Sequence, residues 1–132
     1  IGVIQKKENT KILKAVKPFN NYGLSKLGGE CAVSMYKNSL ILRVTMTEKP
    51  FTHTTAFTNL KSNFMFHEDL VEILPKVINE IGIINIGGKS QSIYDFAKKY
   101  NKSVKKTKLN KDSKLPFNQT MNLSRLKKLL KW

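Results

Sequence analysis

Apolar residues along the chain follow two spacings, one typical of helices and one typical of strands. In the helical segments they recur every three or four residues and therefore fall on one face. Between these segments lie short continuous apolar runs of the kind that form strands buried on both faces of a parallel sheet. The predicted helices are 22–37, 70–81, 90–100 and 122–130, and the predicted strands are 39–45, 64–66, 83–86 and 104–109.

Local signals place the helix ends. We expect Asn21, Ser90 and Asn122 to begin the first, third and last helices, because their side chains accept hydrogen bonds from free backbone N–H groups. Pro75 lacks a backbone donor, so it predicts a kink or a boundary inside the second helix.

The order of these elements is an α/β pattern. Residues 46–62 follow neither spacing and predict a long loop beyond a strand end, where α/β proteins place ligands. Gly28 and Gly29 each cost up to about 1 kcal/mol relative to alanine in a helix, so we expect the first helix to pack closely against a neighbour. With 132 residues the chain can bury one modest core. Its start at Ile1 instead of methionine indicates a fragment or a processed start.

The formal net charge of +15 raises the question of nucleic-acid binding. Almost all of this charge is lysine, and Arg43 and Arg125 are the only arginines, whereas recognition of bases and phosphates favours arginine forks. A bias toward Lys, Asn and Ile is also what an AT-rich coding sequence produces. We therefore do not expect nucleic-acid binding. The alternative is a non-catalytic basic module that binds nucleic acid or an acidic partner.

Cysteine and histidine are too few and too scattered to predict a metal site. Cys31 is the only cysteine, which rules out an intrachain disulfide and fits a reducing compartment. His53 and His67 have no second ligand at helical or turn spacing, so they are not expected to bind a metal. Neither a signal peptide nor an apolar run of roughly 18 residues is recognisable, so we expect a cytoplasmic protein without membrane contact.

Tyr22 and Lys26 are the residues whose arrangement predicts chemistry. They lie four residues apart at the start of a predicted helix, so their side chains share a face. A free phenol has a pKa of about 10, and an adjacent ammonium group lowers that pKa toward the range useful for proton transfer. Reduction of a carbonyl needs such a proton on one side and a hydride from a nicotinamide on the other.

The residues around this pair resemble a known family. Residues 17–30 read Lys-Pro-Phe-Asn-Asn-Tyr-Gly-Leu-Ser-Lys-Leu-Gly-Gly-Glu and resemble the Pro, Tyr-Gly-x-Ser-Lys, Gly-Glu segment of the extended short-chain dehydrogenases/reductases. Further stretches, in the same order as in the family, are similar to the dTDP-4-dehydrorhamnose reductase group. These stretches are residues 40–43, 69–70, 82–88, 92–97 and 116–123.

The resemblance implies the C-terminal part of a Rossmann-like doubly wound α/β fold. Residues 1–45 would end the Rossmann-like part and carry the Tyr/Lys helix, and residues 46–132 would form a small α/β substrate-binding region. The N-terminal dinucleotide-binding half, with its glycine-rich turn, is absent from these residues. The resemblance makes Tyr22 the proton donor and Lys26 its activator and ribose ligand, so that both contact NADPH or NADH.

The implied reaction reduces a 4-keto-6-deoxy sugar nucleotide to a 6-deoxy sugar nucleotide, as in dTDP-rhamnose biosynthesis. The family places contacts to the sugar nucleotide in and after the arginine strand. The candidate substrate-binding residues are Arg43, Thr52, His53 and Asn59, and Arg43 is alternatively a structural ion-pair partner. An epimerase or dehydratase of the same superfamily would share the Tyr/Lys pair. We expect the isolated chain to be inactive and the full-length enzyme to form a homodimer.

Overall fold

The computed structural model describes residues 18–132, which form four α-helices and eight short β-strands. The helices are α1 (Asn21–Ser34), α2 (His67–Val77), α3 (Ile93–Tyr100) and α4 (Ser124–Leu130). The strands are β1 (Leu40–Val44), β2 (Met46–Thr47), β3 (Thr55–Phe57), β4 (Lys61–Ser62), β5 (Met65–Phe66), β6 (Gly82–Ile86), β7 (Gln91–Ser92) and β8 (Lys105–Thr107).

A parallel pair of strands, β1 and β6, forms the centre of the fold. Their register runs from Leu40 opposite Gly82 to Val44 opposite Ile86, so both strands end at the same edge. Side chains alternate between the two faces of a strand. The even-numbered residues of β1 belong to a core shared with α2 and α4, whereas Arg43 points the other way and contacts α1. Helices therefore cover both faces, which confirms the predicted α/β class.

Two apolar clusters make up the core. The first joins the central strand pair to α2 and α4, and the second surrounds α3 and is rich in phenylalanine. The buried members of the first are Val44, Met65, Ile73, Val77, Ile84, Ile86 and Leu126. Those of the second are Phe51, Ala56, Phe66, Phe96, Ala97 and Val104. Because Val44 shares a cluster with residues of β6, α2 and α4, the two regions predicted to meet at residue 45 are packed together.

The expected burial of the central strands on both faces is only half right. On the side of α2 and α4, Ile84 and Ile86 are fully buried. On the side of α1, Ile41 is half-buried and Ile83 is 43% exposed. On this side, Arg43 of β1 contacts Glu30 of α1, and Gly23 is the one buried residue of that helix.

The predicted first N-cap is wrong by one residue. The side-chain oxygen of Asn20, not that of Asn21, accepts a hydrogen bond from the backbone N–H of Gly23 at 2.7 Å. The helix also ends at Ser34, three residues earlier than predicted. The sequence contains two adjacent asparagines, and either side chain has the chemistry of a cap.

The starts of the third and last helices also differ from prediction. Ser92, not Ser90, caps α3, since its hydroxyl accepts from the backbone N–H of Asp95 at 3.0 Å. Residue 123 is the N-cap of α4, although the side chain of Asn122 accepts from the backbone N–H of Ser124 at 2.9 Å. Residues 91–92 pair with β4 as strand β7, so α3 begins at Ile93.

Close packing of α1 around its two glycines is not observed within residues 18–132. A methyl group added at Gly28 or Gly29 would meet no atom within 4 Å. Residues of the apolar stripe predicted for this helix are also exposed to solvent, Leu24 to 57% and Met35 to 84%. Gly23 is the one buried residue of α1.

The predicted loop at 46–62 contains three short strands instead. β2 pairs with β5 and β3 with β8, both in parallel, whereas β4 pairs with β7 in antiparallel fashion. Strands of two or three residues are too short to show an alternating pattern, which explains why the sequence did not reveal them. Pro75 lies in the last turn of α2, and the helix ends two residues after it.

Two valines on α2 test the assignment of its buried face. Val77 is fully buried in the first cluster, and Val71 is 65% exposed. We expect Val77→Ala to lower the free energy of unfolding by about 2 kcal/mol, through lost burial and the cavity that remains. Val71→Ala should leave it unchanged or raise it slightly, since alanine favours helices. Urea denaturation of the 132-residue chain measures both, and equal losses would contradict the assigned face.

Candidate active site

The Tyr/Lys pair lies at the exposed beginning of α1. The cap at Asn20 fixes where the helix starts, which places Tyr22 and Lys26 in its first two turns. The ammonium nitrogen of Lys26 lies 5.3 Å from the centre of the Tyr22 ring. Tyr22 is 52% exposed and Lys26 is also exposed. The structure thus brings the two side chains together and leaves both accessible to a ligand.

An ion pair fastens this helix to the central sheet. The guanidinium of Arg43 donates from Nε to Oε1 of Glu30 at 2.8 Å and from Nη2 to Oε2 at 2.7 Å. The Arg43 side chain is 7% exposed and that of Glu30 is 15% exposed. A bidentate contact of this kind fixes the relative orientation of the two side chains as well as their distance. Arg43 therefore has the structural partner that the sequence left open, and a substrate contact for it stays a prediction.

The direction of α1 places Tyr22 beyond the end of β1. Glu30 lies four residues before the end of the helix, and Arg43 lies three residues after the start of the strand. Contact between them requires the chain to reverse direction in residues 35–39. Tyr22 is eight residues before Glu30, which is about 12 Å along the helix axis. It therefore lies toward the edge where β1 and β6 end, the usual ligand-binding edge of such sheets.

A pocket of about 430 Å³ is lined mainly by the segment of chain that follows β1. Thr52 and His53, two of the predicted substrate contacts, line this pocket and are both exposed. The His53 ring also packs edge-on against Phe51, with 5.3 Å between the ring centres. The lining residues are Met46, Thr47, Glu48, Pro50, Thr52, His53 and His67.

Two polar residues of the pocket, Glu48 and His67, were not predicted as ligand contacts. The parallel pairing of β2 with β5 aligns Thr47 with Phe66. Glu48 directly follows β2 and His67 begins α2 directly after β5, so both residues follow the paired strands and line the pocket. The pairing involves two residues on each strand, so nothing in the sequence could have revealed it.

Asn59 lies in a different environment. Its side-chain oxygen accepts from the backbone N–H of Leu109 at 2.8 Å, and its side-chain nitrogen donates to the carbonyl oxygen of Leu109 at 3.0 Å. Both polar ends of the amide are therefore used to hold the segment after β8. This arrangement favours a structural role, and a substrate contact for Asn59 stays a prediction.

Asn63 organises the edge of the sheet and was not singled out in the sequence. This residue is 2% exposed. Its side chain donates to the carbonyl oxygen of Gly88 at 2.9 Å and accepts from the backbone N–H of Met121 at 2.7 Å. It thus joins the turn after β6 to the segment that leads into α4. An asparagine in an irregular stretch has no spacing that could have marked it.

The described residues supply no phosphate cradle for a dinucleotide. Gly87 and Gly88 follow a parallel strand, as a phosphate-binding turn would. However, a Cβ at Gly87 would lie 2.7 Å from Asn63, and one at Gly88 would lie 2.5 Å from the carbonyl oxygen of Phe64. The space beside these glycines is filled by the chain itself. A phosphate therefore does not fit beside these two glycines, and a cofactor contact for Tyr22 and Lys26 stays a prediction.

Residues 18–132 contain neither a metal site nor a membrane-spanning helix. No group of three or more His, Cys, Asp or Glu side chains is arranged to hold a metal ion. No helix in this range combines the length and the apolar character needed to cross a membrane.

Comparisons with known proteins identify the fold. No family model and no curated protein sequence matches the chain. The structure of a hypothetical dTDP-4-dehydrorhamnose reductase from Sulfolobus tokodaii matches with a TM-score of 0.70 and 24% identity, over 93% of this chain and 53% of that chain. The dTDP-4-dehydrorhamnose reductase from Bacillus anthracis, solved in complex with NADP, matches with a TM-score of 0.70 and 18% identity, over 87% of this chain and 50% of that chain.

The chain spans about half the length of these structures. Their identities to it are low, so the likeness concerns the fold. The resemblance predicted from the motifs around Tyr22 is confirmed at that level. The chain has the α/β fold of the C-terminal half of dTDP-4-dehydrorhamnose reductase.

Proposed function

We propose that this chain is the C-terminal, substrate-binding part of an NAD(P)-dependent sugar-nucleotide reductase. The observation that carries the proposal is the exposed pair of Tyr22 and Lys26 on a fold similar to that of dTDP-4-dehydrorhamnose reductase. The reaction is reduction of a 4-keto-6-deoxy sugar nucleotide to the 6-deoxy sugar nucleotide. A structure of similar fold is a dTDP-4-dehydrorhamnose reductase in complex with NADP, which supports a nicotinamide cofactor.

Tyr22 acts as the proton donor in this proposal. Its hydroxyl donates a hydrogen bond to the carbonyl oxygen of the substrate and passes its proton to that oxygen as negative charge develops there. The ammonium group of Lys26 lies 5.3 Å from the centre of the Tyr22 ring, close enough for both side chains to contact one bound ligand. Lys26 also donates to the cofactor ribose. A bound NADPH or NADH supplies the hydride that the carbonyl carbon accepts.

The pocket after β1 binds the sugar nucleotide. Its volume of about 430 Å³ falls within the range of small-molecule sites. The Thr52 hydroxyl and the His53 imidazole can each donate and accept hydrogen bonds, which suits the hydroxyl and phosphate groups of the substrate. Glu48 and His67 add a carboxylate and a second imidazole to the same wall.

Two alternatives share part of these observations. An epimerase or dehydratase of the same superfamily would use the Tyr22 and Lys26 pair but return the hydride, so the products distinguish it from a reductase.

A basic binding module would rely on lysines such as Lys98 and Lys106, whose ammonium groups lie 5.6 Å and 5.3 Å from the centre of the Tyr94 ring. Polyanion binding unaffected by changes at Tyr22 would favour the module.

Replacement of Tyr22 tests the proton donor. In a full-length protein that contains this chain and a dinucleotide-binding half, Tyr22→Phe should lower kcat by about 100-fold or more, because no group then protonates the oxygen. Tyr36→Phe is the matched control, since Tyr36 lies just past the other end of α1 and is 76% exposed. NADPH and NADH oxidation with a dTDP-linked 4-keto-6-deoxy sugar measures both.

The 132-residue chain alone should show no turnover in this assay, because no phosphate fits beside Gly87 and Gly88, the glycine pair that follows a parallel strand. Turnover by the chain alone would contradict the proposed division of the enzyme. Equal activity of Tyr22→Phe and Tyr36→Phe would contradict the role of Tyr22.

Replacement of Thr52 and His53 tests the pocket. Thr52→Ala and His53→Ala should each weaken binding of a dTDP-sugar to the chain by roughly 3- to 10-fold, the value of one hydrogen bond. Thr54→Ala is the control, because Thr54 is exposed nearby but does not line the pocket. Titration calorimetry gives the dissociation constants. Equal weakening by Thr54→Ala would show that the sugar nucleotide binds elsewhere.

A further inference from the structure

The attachment of α1 differs from that of the other three helices. α2 buries Ile73 and Val77, α3 buries Phe96 and Ala97, and α4 buries Leu126. Within residues 18–132, α1 buries no apolar side chain, and Gly23 is its one buried residue. Leu27 of α1 is half-buried, so within these residues the apolar contacts of α1 are weaker than those of the other helices.

The Glu30–Arg43 ion pair is the directional contact that remains. Both carboxylate oxygens of Glu30 accept from Arg43, at 2.8 Å and 2.7 Å. The planar fork of arginine matches a carboxylate in one relative orientation. Since Arg43 belongs to β1, this contact fixes how α1 is turned relative to the central sheet.

Glu30 and the two functional residues form one stripe of the helix. Tyr22, Lys26 and Glu30 are spaced by four residues, so they lie one helical turn apart on the same side of α1. Their side-chain directions differ by a rotation of about 40° about the helix axis from each residue to the next. Once Glu30 is fixed against Arg43, the directions of Lys26 and Tyr22 are fixed as well. Rotation of α1 about its axis would move both away from the edge where β1 ends, without separating them from each other.

We propose that Glu30 and Arg43 are positioning residues that aim the Tyr22 and Lys26 pair at the ligand-binding edge of the sheet. The catalytic meaning of this role rests on the proposed reductase function. The orientation of the helix does not, and it can be measured in the chain without any substrate.

Cys31 gives direct access to that orientation. It is the only cysteine of the chain, it is exposed, and it directly follows Glu30. A spin label on Cys31 and a second on Val71→Cys, an exposed position of α2, report the distance between the two helices by pulsed electron resonance. With the ion pair intact we expect one narrow distance distribution.

Variants of the pair should then disturb the distance. Arg43→Lys keeps the charge but loses the fork, and Glu30→Gln keeps the shape but loses the charge, so each should shift or widen the distribution. The exchanged pair, Glu30→Arg with Arg43→Glu, contains a guanidinium and a carboxylate again, so its distance distribution should be narrower than that of either single variant. Circular dichroism of each variant confirms that the chain is folded.

The second arginine ion pair provides the matched control. Arg125 contacts Glu80 at 3.2 Å, with side-chain exposures of 43% and 37%. Glu80→Gln therefore removes a similar contact that does not involve α1, and it should leave the distance unchanged. An unchanged distance in both Arg43→Lys and Glu30→Gln, or an equal change in Glu80→Gln, would overturn the proposal.

Kinetics of the full-length reductase connect orientation to catalysis. Glu30→Gln should lower kcat by up to about 100-fold, as expected for a displacement of about 1 Å at the reacting atoms. The KM for the sugar nucleotide should stay close to that of the unmodified protein, because the pocket residues are untouched. If no full-length form is a reductase, the proposed function fails while the distance measurement still decides the positioning role.

Discussion

The parallel pairing of β1 with β6 is the constraint on which the rest of the structure depends. Because the two strands run in the same direction and in register, both strands end at the same edge of the sheet, after Val44 and Ile86. The pocket is built from the segment that follows β1, and the turn held by Asn63 follows β6. An antiparallel pair would have placed these two segments at opposite ends of the sheet.

The two faces of this strand pair are covered by different physical means. Apolar side chains of α2 and α4 cover one face, and their burial stabilises the fold. The other face is covered by α1 through a mostly buried ion pair. Loss of one member of such a pair typically costs about 3–5 kcal/mol, because the remaining charge is left without a partner. Such a contact contributes more to orientation than to net stability, which suits a helix that carries functional groups.

Sequence patterns predicted the parts of this structure that depend on local periodicity. The helices around Leu126 and Phe96 and the central strands were found because their apolar residues repeat over several turns or residues. The Tyr22 and Lys26 pair was found because both lie on one helix. The pairing of β2 with β5, and with it the place of His67 in the pocket, joins segments far apart in sequence through two residues each. No local pattern contains that information.

The proposed reaction places a geometric demand on α1. Reduction of a carbonyl needs a hydride and a proton from different directions, so the proton donor must face open space into which substrate and cofactor fit. A helix buried by apolar packing along its length would hide the Tyr22 hydroxyl. Attachment through Glu30, two turns away, leaves Tyr22 half exposed while still fixing its direction.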